Sequence, residues 1–452
     1  MPMVQVVGMN YKNLDDHKQT EGKNRSDLSI LRTLRTHVIR LSNYLVILSI
    51  FSSFFFAPVS VSAVQISLGL GFLGWMTNYF CTPKLQNPKI ILTPITTAYL
   101  IFLLAAVFSI LFSQDKIATL DSFRSFWKFF AFLLAANWIR NVKNFETCLK
   151  IIFATTALAC LVGLIQHFGG LEILHHFLIK PKTRATGFFG GSMTFSGLIT
   201  IVSLISIAFI FSKKLSWKYL PWYLFIILIV LGLDFSFQRS AWLGFLGGIL
   251  SWGIMRGKKT IFPIIAILLV FLFIIYKFQP TTWSRMSSIF KSSTETVDSI
   301  GTGERFLLWK TALQIARQHP LTGVGTGQFE TTAREIIINQ LKVPGGQQVT
   351  ICHAHSNPFQ ILATMGLLGF LAYVCLWLVI FLELFKIFRR APSLQVHLCA
   401  GVISVLIGFH IEGLFEYNFG DAEIVTLIWF LLGGMISLSK WETINQTREA
   451  KE

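Results

Sequence analysis

Charge is what this sequence has least of. Asp, Glu, Lys and Arg together make up 13% of its 452 residues, where a soluble domain of this length draws about a quarter from them. That deficit excludes an ordinary soluble enzyme. Paired cysteines are missing too. The six, at 81, 148, 160, 352, 375 and 399, show no C-x-x-C pair or framework spacing, and only Cys352 falls in a long predicted loop, so no disulfide is expected within it. No apolar stretch stands near the start, and the polar, basic first 40 residues read as a cytoplasmic tail, not a cleaved signal peptide. No internal repeat is visible, which counts against a transporter built from two related halves.

Hydrocarbon fills the space that charge leaves. Hydrophobic residues reach 53%, with 43 Phe, and the mean hydropathy is +0.61. The apolar runs are long enough to cross a bilayer, about 20 residues each. They suggest about twelve spans, at 42–58, 60–80, 91–113, 124–139, 149–168, 189–212, 219–236, 240–256, 260–278, 358–385, 393–416 and 423–439. The fourth is short and the first two are close-set, so eleven stays open. The expected fold is all-α, a polytopic integral membrane protein. Its parts would be a cytoplasmic tail (1–41), spans one to nine (42–278), a large periplasmic loop (279–357), three further spans (358–439) and a second cytoplasmic tail (440–452).

The net charge of +17 resembles a nucleic-acid footprint, but its distribution does not. Lys84 and Lys89; Arg140, Lys143 and Lys150; Lys213, Lys214 and Lys218; Arg256, Lys258 and Lys259; and Lys386, Arg389 and Arg390 sit in short segments between spans. All fall on one face if the N-terminus is inside, as the positive-inside rule requires. No nucleic-acid partner is expected.

The 279–357 loop breaks the regularity, and loops of about 80 residues are usually functional or disordered. Glu304 to His319 has helical spacing, with Leu308, Trp309, Ala312, Leu313 and Ala316 as one apolar stripe. Thr302 is placed to cap it and Pro320 to end it. The helix is expected to lie on the membrane or over a cavity. Gly323-Val-Gly-Thr-Gly has the look of a phosphate loop, but no strand precedes it, and it reads as a turn after Pro320.

Three residues stand out chemically. Arg239, at the outer mouth of the 240–256 span, is either a snorkelling boundary residue or an anion clamp facing a cavity. Arg305, in the first turn of the loop helix, offers bidentate donors to phosphate, or pairs with Glu304 or another loop acid. His355, in His353-Ala-His355-Ser-Asn-Pro, has a group able to take a proton from a hydroxyl nucleophile. The His-x-His spacing also fits a metal, but with no neighbouring acid or cysteine to complete a ligand set, none is expected. A plain boundary histidine is the remaining alternative. Glu412, Glu416, Asp421 and Glu423 form an acidic cluster that pairs with the arginines, binds sugar hydroxyls or is simply solvated. Asp234 is a candidate partner for a membrane-embedded cation.

Order and context then carry a resemblance. Arg184-Ala-Thr-Gly187 with the following Phe-Phe-Gly-Gly-Ser-Met, Phe237-Gln-Arg-Ser-Ala-Trp-Leu-Gly244, Arg305-Phe-Leu-Leu-Trp-Lys-Thr-Ala-Leu, Pro320-Leu-Thr-Gly-Val-Gly325 and His355-Ser-Asn-Pro-Phe-Gln-Ile-Leu running to Gly366-Leu-Leu-Gly369 resemble the O-antigen ligase and O-antigen polymerase superfamily of bacterial membrane proteins. The likeness is best over 180–440. Ser356 stands where the family often has Asn, Thr364 where it often has Glu, and Ser240 where it usually has Gly; none of these removes an arginine or the histidine.

The resemblance implies transfer of a glycan from undecaprenyl pyrophosphate to an acceptor hydroxyl, without metal, nucleotide or other cofactor, on the periplasmic face of a bacterial inner membrane. Arg239 and Arg305 would meet the pyrophosphate charge and His355 would act as base. Arg184, Gln238, His353, Glu412 and Glu416 are expected to contact substrate. The acceptor would be lipid A–core for a ligase or another lipid-linked glycan for a polymerase. The compact segment before His355 leans towards a ligase. A transporter or flippase, or a structural scaffold, are the rivals from other classes.

Overall fold

The computed structural model describes residues 12–83, 90–113, 115–172, 177–178, 184–213, 216–278, 302–340, 351–390 and 393–449. Lys84, Lys89, Lys214 and the loop stretches 279–301 and 341–350 lie outside the described residues, as does the side chain of the expected cap Thr302. The helices in chain order are α1 (Lys12–Phe56), α2 (Val61–Cys81), α3 (Pro94–Phe112), α4 (Lys116–Phe123), α5 (Phe130–Trp138), α6 (Val142–Gly169), α7 (Ser192–Phe211), α8 (Leu220–Phe235), α9 (Arg239–Arg256), α10 (Lys258–Phe278), α11 (Thr302–Gln318), α12 (Phe329–Glu335), α13 (Asn357–Arg390), α14 (Ser393–Gly413) and α15 (Ala422–Glu449). A two-residue ribbon, Leu171–Glu172 against Phe177–Leu178, is the strand content among the described residues.

Among the described residues, eight helices are long and apolar enough to cross a membrane: Arg32–Phe56, Pro94–Phe112, Val142–Gly169, Ser192–Phe211, Trp217–Phe235, Asn357–Arg390, Gln395–Gly413 and Ala422–Trp441. The protein is therefore a polytopic membrane protein, with eight such helices where the apolar runs suggested about twelve. The expected span 124–139 is instead a 3-10 segment, Arg124–Phe129, followed by the nine-residue α5. That is too short to cross alone, since a span needs about 20 residues. α2, α9 and α10 also fall outside the eight; α9, for example, carries four glycines and an arginine at each end.

Local chemistry explains the helix ends. Thr93 accepts from the Thr96 N–H at 3.3 Å with Pro94 in the first turn of α3. Asn141 accepts from the Asn144 N–H at 2.7 Å at the start of α6. That helix ends on Gly170 in the left-handed region (φ +65°).

The chain divides into two compact units. One is Met1–Ser49 with Gly69–Lys89, in which Asn78 Nδ2 donates to Asn43 Oδ1 at 2.7 Å. The other, Ile50–Leu68 with Ile90–Glu452, holds everything that follows.

Two features of this second unit position the site. The first is the α9–α14 pair, which meets through small residues. A Cβ on Gly244 would lie 2.7 Å from the Gly408 carbonyl, and one on Gly248 2.9 Å from that of Ser404, the close approach that membrane helices use to gain packing contact. Advancing along α9 retreats along α14, so the helices are antiparallel. The register sets Gly244 against Glu412 and brings the start of α9, Arg239, to that same end of α14.

The second is a break in α13. Gly366 has φ +62° and ψ −163°, and the Pro320–Gly325 turn fills the gap. Val324 and Gly325 N–H groups donate to the Ala363 and Thr364 carbonyls at 3.1 and 2.9 Å, and Leu367 N–H donates to the Pro320 carbonyl at 2.8 Å. Ser109 and Ser113 of the α3 end close the joint, donating to the Thr364 and Val324 carbonyls at 2.8 and 3.0 Å. Gly323, Gly325 and Gly327 all have positive φ, so the glycine run is a turn, as expected.

α11 ends at Gln318, before Pro320, as read from the sequence. Its buried face differs: Leu308, Ala312 and Ile315 pack with Ile351, Ala354 and Ala363, while Leu313 is exposed. The helix covers the chain's return towards α13.

Candidate functional site

His355 lies two residues before α13, and its φ of +46° is uncommon for a non-glycine residue. Such backbone costs on the order of 1–3 kcal/mol and persists where surrounding contacts over-determine it. Here they do. His355 N–H donates to His353 Nδ1 at 3.2 Å, and Ala354 N–H to Gln360 Oε1 at 2.7 Å. Asn357 Nδ2 donates to Asn418 Oδ1 at 2.7 Å while Asn357 Oδ1 accepts from Phe419 N–H at 3.0 Å. The return segment is thus laced to the loop that follows α14.

That loop carries Glu416, and Glu416 organises the site. His355 Nδ1 donates to its two carboxylate oxygens at 3.0 and 3.1 Å. Arg305 Nη2 lies 3.4 Å from Oε2, and His353 Nε2 lies 3.8 Å from Oε1. Burial would raise the Glu416 carboxyl, but the His355 hydrogen bond and the charges of His355, His353 and Arg305 outweigh it and hold the group below its ordinary range. An ionised Glu416 assigns the His355 proton to Nδ1, which leaves the Nε2 lone pair as a base. Of the two readings of Arg305, the ion pair is present, with Glu416 as its partner.

His353, His355 and Glu416 each offer one ligand atom, all within 4.8 Å of one another, so the set could hold a cation such as Zn²⁺. Glu416, 61 residues away from His355, supplies the acid that the sequence around the His-x-His pair lacks. Arg305 beside the same carboxylate already supplies a positive charge.

The acidic cluster is not solvated. Glu412 and Glu416 are 2% and 4% exposed, and Asp421 accepts from Thr194 Oγ1 at 3.4 Å. Burial, then the neighbouring Glu423 and Glu416, push the Asp421 carboxyl up to about 7. Asp234 is buried as well.

Arg239 is the first residue of α9, and Gln238 before it donates through Nε2 to Ser192 Oγ at 2.7 Å. The α9–α14 register sets both at the Glu412 end, with the histidines and Arg305. Arg184 is exposed and leads a segment clamped by buried Gln166. The Gln166 Oε1 accepts from Thr186 and Gly187 N–H groups at 3.1 and 3.0 Å, and its Nε2 donates to the Gly187 carbonyl at 2.8 Å. Gln166→Ala strands these groups and is expected to cost about 2 kcal/mol or more, seen as a lower thermal unfolding midpoint in detergent.

Burial pushes the His353 imidazole down to about 4, against the pull of Glu416 and with the charges of His355 and Arg305 adding to it. Unfolded histidine takes up a proton below about 6.5, whereas folded His353 resists it, so acidification across this window favours unfolding. Glu416 adds to this once it protonates below its ordinary value, and Asp421 acts in the opposite direction between about 7 and its unfolded value. Comparison with His353→Gln cancels Asp421, and Glu416 contributes only at the acid end of the window. The variant is expected to lose less stability than wild type between about pH 6.5 and 4, measured as thermal unfolding in a pH series; parallel curves would refute the assignment.

Two residues here escaped the sequence reading. Gln166 gave no local sign. Lys128 did, as the lone cation in the aromatic run Phe126-Trp-Lys-Phe-Phe, yet it sat unremarked within an expected span. No curated protein matches the chain. Residues 224–374, the stretch that carries Arg239, Arg305 and His355, match the family model described as O-antigen ligase, and this domain supports the resemblance to the O-antigen ligase superfamily.

Proposed function

We propose that this site is a metal-independent, inverting glycosyltransferase of the ligase type, moving a glycan from undecaprenyl pyrophosphate to a lipid A–core sugar hydroxyl at the periplasmic face of a bacterial inner membrane. The observation that carries the reading is the His355–Glu416 pair at 3.0 Å with Arg305 against the same carboxylate. Glu416 orients His355, whose Nε2 takes the acceptor hydroxyl proton as that oxygen attacks the anomeric carbon. The bond from that carbon to the pyrophosphate oxygen breaks, and the departing charge is met by Arg239 and by the guanidinium donors that Arg305 does not spend on Glu416. A pyrophosphate donor suits a compartment without nucleotide sugars, because it brings its own leaving group.

The test is glycan transfer by purified protein from a lipid-pyrophosphate glycan to lipid A–core in EDTA. Wild type is compared with Arg239→Ala, Arg305→Ala and His355→Ala. Transfer by wild type, reduced about 10²–10⁴-fold in His355→Ala and strongly in both arginine variants, is the expected result. Longer glycans on the carrier and none on lipid A–core would make the protein a polymerase using the same residues. Activity abolished by EDTA and restored by Zn²⁺ would turn the His353–His355–Glu416 set into a metal centre. No product of either kind would return the transporter reading.

A further inference from the structure

Beside the His355–Glu416 pair lies a cavity of about 320 Å³, at the small end of the ~300–1,000 Å³ range of ligand pockets. That is room for a sugar ring and a substituent, not for a polyprenyl tail. His353 forms one wall, and its ring centroid is 4.3 Å from that of His355, so a molecule in the cavity has the proposed base as its neighbour. Phe126, Phe419 and Trp429 supply aromatic walls, the surfaces against which the C–H face of a pyranose packs.

The polar side is more informative. Lys128 lines the cavity and is 9% exposed. Its ammonium donates one hydrogen bond, to the Gly420 carbonyl at 3.0 Å, and among the described residues no carboxylate lies within ion-pair distance of it. An ammonium carries three donors, and one this buried is costly to leave without a partner. Asp421 and Glu423 act on it only at longer range, and no acidic side chain faces the cavity. A cavity with aromatic walls, one under-used cation and no anion selects a ligand that is both carbohydrate and negatively charged.

We infer that this cavity is an acceptor subsite for an anionic saccharide, a sugar bearing a phosphate or carboxylate, whose charged group is held by Lys128. That it serves an acceptor rests on the glycosyl-transfer reading; the binding itself does not.

Cys352 gives a direct probe, because it is exposed and lines the same cavity, while the part-exposed Cys81 at the end of α2 does not line it. Alkylation of both by a maleimide is followed by peptide mass spectrometry on the full-length protein in detergent, with glucose 6-phosphate, galacturonate, glucose or inorganic phosphate present. The two anionic sugars are expected to slow Cys352 alkylation several-fold and leave Cys81 unchanged, while glucose and phosphate have little effect. Lys128→Gln is expected to abolish the protection and Lys128→Arg to retain it. Should Lys128→Gln fail to fold, seen as alkylation of the buried Cys148, Ser125→Phe at the exposed rim fills the cavity without touching the charge and should also abolish protection. Equal protection by glucose or by phosphate alone, protection that survives both substitutions, or none by any sugar would overturn the inference. Protection without glycan transfer in the assay above would remove the transferase reading and leave the binding site; transfer without protection would do the reverse.

Discussion

Glu416→Gln is expected to lower the rate of the proposed glycan transfer about 10²–10⁴-fold, as much as His355→Gln, although Glu416 touches neither reacting atom in the proposed scheme. The amide is nearly isosteric, so the loss comes from charge and tautomer. A carboxylate 3.0 Å from Nδ1 keeps the proton on that nitrogen and stabilises the imidazolium that forms when Nε2 takes the acceptor proton. An amide stabilises it less and, turned round, presents a donor that favours the wrong tautomer. Arg305 loses its counter-charge in the same step. Groups acting as one unit are strongly non-additive, so the double variant His355→Gln/Glu416→Gln should be little worse than either single one. Full kinetic analysis separates this from a merely structural role: kcat should fall with donor KM nearly constant. A variant with near-wild-type kcat would remove Glu416 from the chemistry.

Most of the helical frame was legible because a bilayer imposes it. Apolar runs near the needed length and basic connecting segments are local signals, and the eight apolar helices lie where such runs stand. The expected span at 124–139 departs from this frame because its run is apolar but chopped. Phe126 to Trp138 is rich enough to read as a span, and only the structure shows a 3-10 segment yielding to a short helix.

The α11 face was misread for a related reason. Its apolar residues occupy two neighbouring stripes, and periodicity cannot tell which one meets protein; the packing partner at 351–363 decides for Leu308, Ala312 and Ile315.

At the site, Arg305 and His355 were visible as chemistry out of place, but their junction was not. Glu416 is 111 residues from Arg305 and 61 from His355, and the acidic cluster could be read as solvent-facing until its burial was known. Lys128 lay inside the expected span 124–139, where nothing local marks its burial beside a cavity.

The joint between the glycine turn and broken α13 carries the largest expected effect on stability. Gly366→Ala places a methyl where φ is +62° and ψ −163°, a region essentially reserved for glycine and costing other residues about 1–3 kcal/mol. The new Cβ would also stand 2.5 Å from the Leu321 carbonyl oxygen, a backbone atom with no rotamer to change. The turn can yield only by surrendering the hydrogen bonds from Val324, Gly325 and Leu367. The expected loss is therefore about 3 kcal/mol or more, read as a large drop in the detergent unfolding midpoint. Transfer activity should fall with it, since the first half of α13 fixes the return segment bearing His355. Gly323→Ala strikes the same joint from the other side, its Cβ 2.5 Å from Met365 N at φ +66°, and should be comparably damaging. Because both open one contact, the double variant should cost less than the sum of the two. Gly190→Ala, where a Cβ meets nothing within 4 Å, is the control expected to leave the midpoint nearly unchanged. If Gly366→Ala melts with the control, the turn does not lock into the helix break.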